Sequence, residues 1–254
     1  MSMGLKKAVL IVGGTSDIGQ AICRRFSQST LPLIMTYQKN RKVALSVKKS
    51  LKQEGRHCEV LRCDISHKKS IKTLFSRIRL LGFRVHVLVI NAGVKDDKLA
   101  VQMDAHSWRS VMRVNVDGAF HCIQACLPGM IAKKSGAIVN VSSIAAISGQ
   151  VGQANYCASK GAVISLTRSL ARELGPKNIR VNCVAPGYVE SGMIQELKAD
   201  PDLSDYFNGI ISTMCSLRRV GEPDEIANVV FFLASKQSSY INGQTIIADG
   251  GILM

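Results

Sequence analysis

"KAVLIVGGTSDIGQAICRRF", Lys7 to Phe26, sets an apolar run, a glycine-rich turn and a helix-like run in immediate succession. Ala8 to Val12 does not alternate apolar with polar residues, which is the pattern of a strand covered on both faces. Gly13, Gly14 and Gly19 permit a tight turn. The segment after it, "IGQAICRRFSQS", reads as a helix whose free N–H groups would face a pyrophosphate. The spacing departs from G-x-G-x-x-G, so the turn suggests an anion-binding arrangement without by itself naming the ligand.

The same unit recurs along the chain. "LPLIMTY", "CEVLRCDI", "VHVLVINAG", "AIVNVSS", "IRVNCVAPG" and "QTIIAD" read as further strands. Between them lie "RKVALSVKKSLKQEG", "KKSIKTLFSRIRLLG", a long helix from near Asp104 to about Lys133, "GQANYCASKGAVISLTRSLARELG", and a helix near Glu222–Ala234. Short Val/Ile/Leu runs alternating with helices predict an α/β fold: one doubly wound parallel sheet of about seven strands, helices on both faces. The expected organisation is a single domain over residues 1–254. Its cofactor half covers about 1–115 and its catalytic and substrate half about 116–254. A less regular stretch from Tyr188 to Ser216 is expected to act as a partly apolar lid, with a plain packing segment as the alternative. Ligands should lie beyond the carboxyl ends of the strands.

At 254 residues and 46% hydrophobic, the chain can bury a large core. No apolar run reaches the roughly 18 residues needed to cross a bilayer. The start, "MSMGLKKAVLIVGG", is basic like a signal peptide, but no cleavage pattern follows and it reads as the first strand. The eight cysteines form no CxxC pair, which suggests small core residues in a reducing cytoplasm. His57, His67, His86, His106 and His121 show no metal-ligand spacing, and Trp108 reads as a packing residue. The net charge of +15 is concentrated: residues 1–90 hold 18 Lys and Arg against 4 Asp and Glu, the remainder 15 against 14. Such a half is either a solvated surface or attractive to an anionic partner, whether nucleotide phosphate, acidic protein or nucleic acid. No zinc-finger spacing or RNA-binding aromatic signature supports nucleic acid.

Tyr156 and Lys160, four apart in "QANYCASKGAVISL", would share one helix face. A free phenol, with a pKa near 10, is a poor proton donor or acceptor at neutral pH. A neighbouring ammonium would favour the phenolate and bring it into range.

"VGGTSDIG", "CDI", "NAG", "RVNVDG", "NVSS", Tyr156-x-x-x-Lys160 and "APG" occur in the order and spacing of the short-chain dehydrogenase/reductase family, and the chain resembles it over nearly its whole length. Two positions depart from Thr-Gly-x-x-x-Gly-x-Gly: Val12 replaces the threonine and Asp17 the middle glycine. Asp17 would cap the following helix but sets a carboxylate near the expected phosphates. The resemblance implies a cofactor cradle at Gly13, Thr15, Ser16, Asp17, Ile18 and Gly19. Asp64 and Ile65 would touch the adenine, Asn91, Ala92 and Gly93 its ribose. Pro186, Gly187, Val189 and Ser191 would line the nicotinamide pocket. Gln38, Lys39, Asn40 and Arg41, following the second strand with no acid among them, favour NADP(H) over NAD(H). The implied catalytic set is Ser143 on the substrate carbonyl, Tyr156 as the proton group, Lys160 beside it and on the nicotinamide ribose, and Asn115 holding a relay water.

"GQANYCASKGAVISLTRSLARELG" and "INGQTIIADGGILM" are most similar to the 3-oxoacyl-[acyl-carrier-protein] reductases of fatty-acid synthesis. That resemblance implies a homotetramer and an acidic acyl carrier protein received by Lys134 and Lys177 near the active-site entrance. Polyketide, acyl-CoA, sugar and steroid reductases share the pattern. A cofactor-binding protein without turnover and a nucleic-acid binder are the non-enzyme alternatives.

Overall fold

The computed structural model describes residues 5–254; the side chains of Met193, Glu196, Leu197, Pro201, Asp202, Leu203 and Tyr206 lie outside the described residues. Seven parallel strands form one sheet: β1 (Lys6–Val12), β2 (Leu33–Tyr37), β3 (Cys58–Arg62), β4 (Phe83–Ile90), β5 (Gly136–Val141), β6 (Ile179–Pro186) and β7 (Thr245–Ala248). Their spatial order is β3-β2-β1-β4-β5-β6-β7. The chain winds outward from β1 in one direction, returns, and continues from β4 in the other. The order therefore reverses between β1 and β4, and a crevice opens there at the carboxyl ends.

The strands are apolar on both faces because both are covered. On one face pack α3 (Lys68–Leu80), α5 (Ala119–Ala132) and α7 (Ala154–Leu174), through Ile71, Leu74, Ile123, Met130, Leu170 and Leu174. On the other lie α1 (Asp17–Phe26), α2 (Arg41–Gln53) and α10 (Pro223–Ala234), with Ile22, Val47, Leu51, Val230 and Leu233 in the core. Seven of the eight cysteines are buried, consistent with their reading as small core residues. Chain start meets chain end where Phe26 of α1 packs edge-on against Phe231 of α10 at 5.1 Å. The Arg25 guanidinium lies over the same ring at 4.2 Å.

The long helix expected from Asp104 is interrupted. Asp104 caps α4 (Ala105–Met112) by accepting the Ser107 N–H at 2.7 Å, and the chain then widens into a π-helical turn, Arg113–Gly118, before α5. A further short helix, α6 (Ala145–Ser148), follows β5. The stretch expected to be irregular holds α8 (Gly192–Ala199) and α9 (Pro201–Met214). These two helices build a small cluster of their own from Ile194, Phe207 and Ile211, with Tyr188 and Val220 packed on it. Met193, counted among the lid residues, lies outside the described side chains.

Candidate functional site

The turn after β1 stands at the point where the strand order reverses. Gly13 has φ +84°, and a Cβ there would come within 2.6 Å of the Ala92 nitrogen, so no side chain fits. Its N–H donates to Thr36 Oγ1 at 3.1 Å, pinning the turn to β2. Ser16 caps α1 by accepting the Gly19 N–H at 3.1 Å. Asn91 closes the turn from the β4 side, donating to the Gly13 carbonyl at 2.8 Å and to Ser16 Oγ at 3.0 Å. Among the described residues, nothing accepts from the Asp17 and Ile18 amides, which a bound anion would satisfy. This cradle, with room only for glycine where β4 passes closest, fits the pyrophosphate of a dinucleotide. Asp17 is not the cap expected of it; Ser16 holds that position. Asp17 is instead the first helical residue, and its Oδ2 accepts the Gly192 N–H at 3.2 Å.

Beyond β2, Gln38, Lys39, Asn40 and Arg41 are all exposed. Arg62, exposed at the end of β3, reaches across and donates to the Gln38 carbonyl at 3.3 Å. The basic turn therefore has a cation from a neighbouring strand. Asp64 caps the next turn, accepting from Ser66 N–H at 2.9 Å and Ser66 Oγ at 2.6 Å. Partial burial works to raise its carboxyl, but the bonds from Ser66 and Gln38, with His67 nearby, bring it below its ordinary value. Ile65 is buried beneath Gly118 of the π-helical turn.

Ser143, Tyr156 and Lys160 converge beyond β5. Ser143 follows the strand, partly exposed, and Ser142 before it turns inward to donate to the Lys160 carbonyl at 2.8 Å. Tyr156 and Lys160 lie one turn apart on α7. The Lys160 ammonium sits 5.7 Å from the centre of the Tyr156 ring and donates to the Val141 carbonyl at 2.9 Å. Burial lowers the Lys160 pKa to about 8. The same burial pushes the Tyr156 phenol up, and a hydrogen bond with Ser143 offsets it in part. The expectation that the ammonium would bring the phenol down is corrected: desolvation dominates, and the ammonium is engaged by a backbone carbonyl. Gly93 closes the same corner, since a Cβ there would stand 3.2 Å from Lys160 Nζ and 3.3 Å from Asn115 Oδ1.

Asn115 projects from the π-helical turn into this corner and is buried. Its side chain pairs with Val94 like a short piece of sheet, Oδ1 accepting the N–H at 2.8 Å and Nδ2 donating to the carbonyl at 2.9 Å. The other amide hydrogen goes to Ser159 Oγ at 2.9 Å. Both side-chain hydrogens are thus used within the protein, and only acceptor capacity is left for a water. One-turn π bulges recur at functional sites because they re-aim a residue of an otherwise regular helix.

Residues 13–253 match the family model described as Enoyl-(Acyl carrier protein) reductase. The chain belongs to the short-chain dehydrogenase/reductase family. It is 35% identical over 252 residues to the 3-oxoacyl-[acyl-carrier-protein] reductase FabG of Staphylococcus aureus strain Mu50, covering 99% of this chain and 100% of that one. It is 37% identical over 248 residues to the enzyme of the same name from Thermotoga maritima, covering 98% of each. Among solved structures, a putative gluconate dehydrogenase from Agrobacterium tumefaciens superposes with a TM-score of 0.92 at 27% identity, over 98% of this chain and 97% of that one.

This short-chain dehydrogenase/reductase keeps the expected residues together on the carboxyl side of its sheet, apart from Lys134 and Lys177. Lys134 stands two residues before β5 and Lys177 two residues before β6, so both lie at the strand-entry pole, bridged by Asn178 donating to the Lys134 carbonyl at 3.1 Å. Ser143 lies at the other end of β5, roughly 20 Å away at about 3.3 Å per residue. In this chain they are therefore not at the entrance to its own site, because a residue at the start of a strand cannot reach the strand's carboxyl end. Pro186 ends β6, and its carbonyl accepts the Ile144 N–H at 2.9 Å. Gly187 lies against Asp249, Val189 is buried and bridges to Gly221, and Ser191 caps α8.

Sequence reading missed four supporting residues. Asn155, fully buried beside Tyr156, donates to the Asp96 carbonyl at 2.9 Å and ties the 94–104 segment to α7. Ser159 accepts from Asn115 and donates to the Tyr156 carbonyl at 2.7 Å. Thr36 and Arg62 complete the set. The available signal was a polar residue in an apolar strand for Thr36 and next to the tyrosine for Asn155; nothing local marked the other two.

Proposed function

We propose that this enzyme is an NADPH-dependent carbonyl reductase that converts 3-oxoacyl-[acyl-carrier-protein] to the 3-hydroxyacyl form in fatty-acid synthesis. The observation carrying the reading is the convergence of Ser143, Tyr156 and Lys160 at the reversal point, beside a glycine turn that admits no side chain. The substrate class is supported by the full-length relatives that bear that name.

When bound, NADPH supplies the hydride to the substrate carbon. The Gly13–Gly19 turn and the amides of Asp17 and Ile18 would hold its pyrophosphate, with Thr15 at the turn's rim. Asn91, Ala92 and Gly93 would lie along the adenosine ribose, Asp64 and Ile65 at the adenine, and Pro186, Gly187, Val189 and Ser191 around the nicotinamide. Exposed Lys39 and Arg41, flanked by Gln38 and Asn40, would take the 2′-phosphate, and Arg62 extends that set. Ser143 would donate a hydrogen bond to the substrate carbonyl oxygen. Tyr156, its phenol held protonated by burial, would pass its proton to that oxygen as charge develops. Lys160 supplies positive charge beside the phenol while it remains protonated. Asn115 keeps the π-helical turn and Val94 in register behind it. The α8–α9 segment would cover the substrate. A homotetramer in the reducing cytoplasm is the assembly and setting this reading implies.

The deciding experiment follows NADPH oxidation by the purified chain with carrier-linked 3-oxoacyl substrates of several lengths. Keto-sugar acids, the carbonyl forms that NADPH could reduce, are assayed in parallel, because a putative gluconate dehydrogenase shares the fold closely. Turnover of the thioesters is expected. Turnover confined to keto-sugar acids would reassign the substrate, and no turnover with either would remove the assignment.

A further inference from the structure

The glycine turn carries a negative charge of its own. Asp17 stands on the first helical position of α1, and Oδ2 of its carboxylate accepts the N–H of Gly192, the first residue of α8, at 3.2 Å. One carboxylate thus touches the amino ends of two helices, each with a partial positive charge. One helix belongs to the phosphate cradle and the other to the segment that covers the substrate. Such a place suits an anion, and here the protein fills it with its own side chain. The Asp17 and Ile18 amides of the same turn have no acceptor among the described residues, so an incoming phosphate would share the turn with this carboxylate. Like charges that close together repel, so both cannot be held at full strength. The bond from the Gly192 N–H is the one the Asp17 carboxylate accepts among the described residues, and it costs little to break because Asp17 is exposed.

We propose that Asp17 is a latch between the phosphate turn and the substrate lid: in the ligand-free enzyme it fastens the start of α8 to the turn, and NADPH must displace it to bind. The latch rests on the reading above that this turn holds NADPH. Asp17 thereby sets cofactor affinity and couples cofactor arrival to release of α8, before any substrate is present. A residue that only stabilised α1 through the helix dipole would have no reason to reach Gly192, 175 positions away in sequence.

Two measurements on the full chain test it. The first titrates wild type, Asp17→Asn and Asp17→Ala with NADPH and NADH, following nucleotide fluorescence. Both variants are expected to bind NADPH about tenfold more tightly than wild type at low ionic strength, with the gap narrowing as salt screens the repulsion. The second measures amide hydrogen exchange across Gly192–Ala199 without nucleotide. Exchange at the start of α8 is expected to quicken in Asp17→Ala, which cannot accept the Gly192 N–H, and in wild type on adding NADPH before the substrate orders the lid; Asp17→Asn keeps an accepting oxygen and should hold α8. NADPH affinity unchanged or weakened in both variants overturns the proposal, and so does unaltered exchange at α8 in Asp17→Ala. If wild type binds neither nucleotide, the cofactor reading itself falls, and the latch with it. Wild-type binding without a gain in the variants removes the latch alone.

Discussion

Tyr156 and Lys160 share one turn of α7, yet burial acts on them in opposite senses. It holds the phenol in its protonated form and makes the ammonium easier to deprotonate. For carbonyl reduction that combination is useful: the acid arrives loaded, and the adjacent cation favours the phenolate it leaves behind. Tyr156→Phe keeps the ring but removes the proton, so turnover should fall by roughly 10² or more. NADPH affinity, measured by titration, should be retained; near-normal turnover would show that another group protonates the product. Lys160 gives a pH signature. Burial penalises the protonated form and holds its pKa at about 8, below the 10.5 of an ordinary lysine. Below about pH 8 the folded enzyme bears that full cost. Between about 8 and 10.5 the folded chain has shed a proton that the unfolded chain keeps, so stability rises there. Denaturant midpoints of wild type relative to Lys160→Met should accordingly climb across that window, while the reductase rate falls above about pH 8. A flat stability difference would mean that the lysine is more hydrated than its surroundings indicate.

At the scale of elements, cofactor choice falls to the turns after β2 and β3 rather than to any one strand. Lys39 and Arg41 were legible from order in the sequence alone: cations and no acid after the second strand. Arg62 was not, because a residue at the end of β3 becomes a neighbour of Gln38 only when β2 and β3 pair, Tyr37 opposite Arg62. Lys39→Ala, Arg41→Ala and Arg62→Ala should each weaken NADPH by about tenfold, the scale of one hydrogen bond to a charged group. NADH, lacking the 2′-phosphate, should be much less affected. Equal losses for both nucleotides in a binding titration would mark a general field effect of the basic surface. The long helix before β5 shows the same limit of sequence reading. Its existence followed from apolar periodicity, but the π-helical turn at Arg113–Gly118 did not, since one extra residue in a turn leaves no compositional trace. The stretch expected to be a less regular, partly apolar lid forms α8 and α9, whose Ile194, Phe207 and Ile211 become a core only by meeting Tyr188 and Val220.

Over the whole molecule, the end of α10 is tied to the sheet by a half-buried cation beside the apolar packing of Val230 and Leu233. Arg180, on β6, donates to the Leu233 carbonyl at 2.8 Å, to Ser238 Oγ at 2.9 Å and to the Ser235 carbonyl at 2.8 Å, collecting carbonyls at the end of α10 that the Ser238 hydroxyl also reaches. Arg180→Met keeps the bulk and removes every guanidinium donor, and should cost about 1–3 kcal/mol in urea unfolding, since the Leu233 and Ser235 carbonyls keep only the Ser238 hydroxyl as a partner. A loss below about 1 kcal/mol would mean that water replaces the guanidinium. Against this background, the sequence by itself determined the fold class, the number of strands and which of Ser143, Tyr156, Lys160 and Asn115 would meet in one corner. Those depend on local information: apolar runs, glycine turns, and a tyrosine and lysine one turn apart. Tertiary structure alone decided the rest. It sent Lys134 and Lys177 to the far pole, since a strand about 20 Å long separates its two ends however near they look in sequence. It turned the Tyr156 phenol upward in pKa, since desolvation depends on what surrounds a group rather than on its neighbour along a helix. And it brought Asp17 to Gly192, a contact between helices that only the closing of the sheet could place side by side.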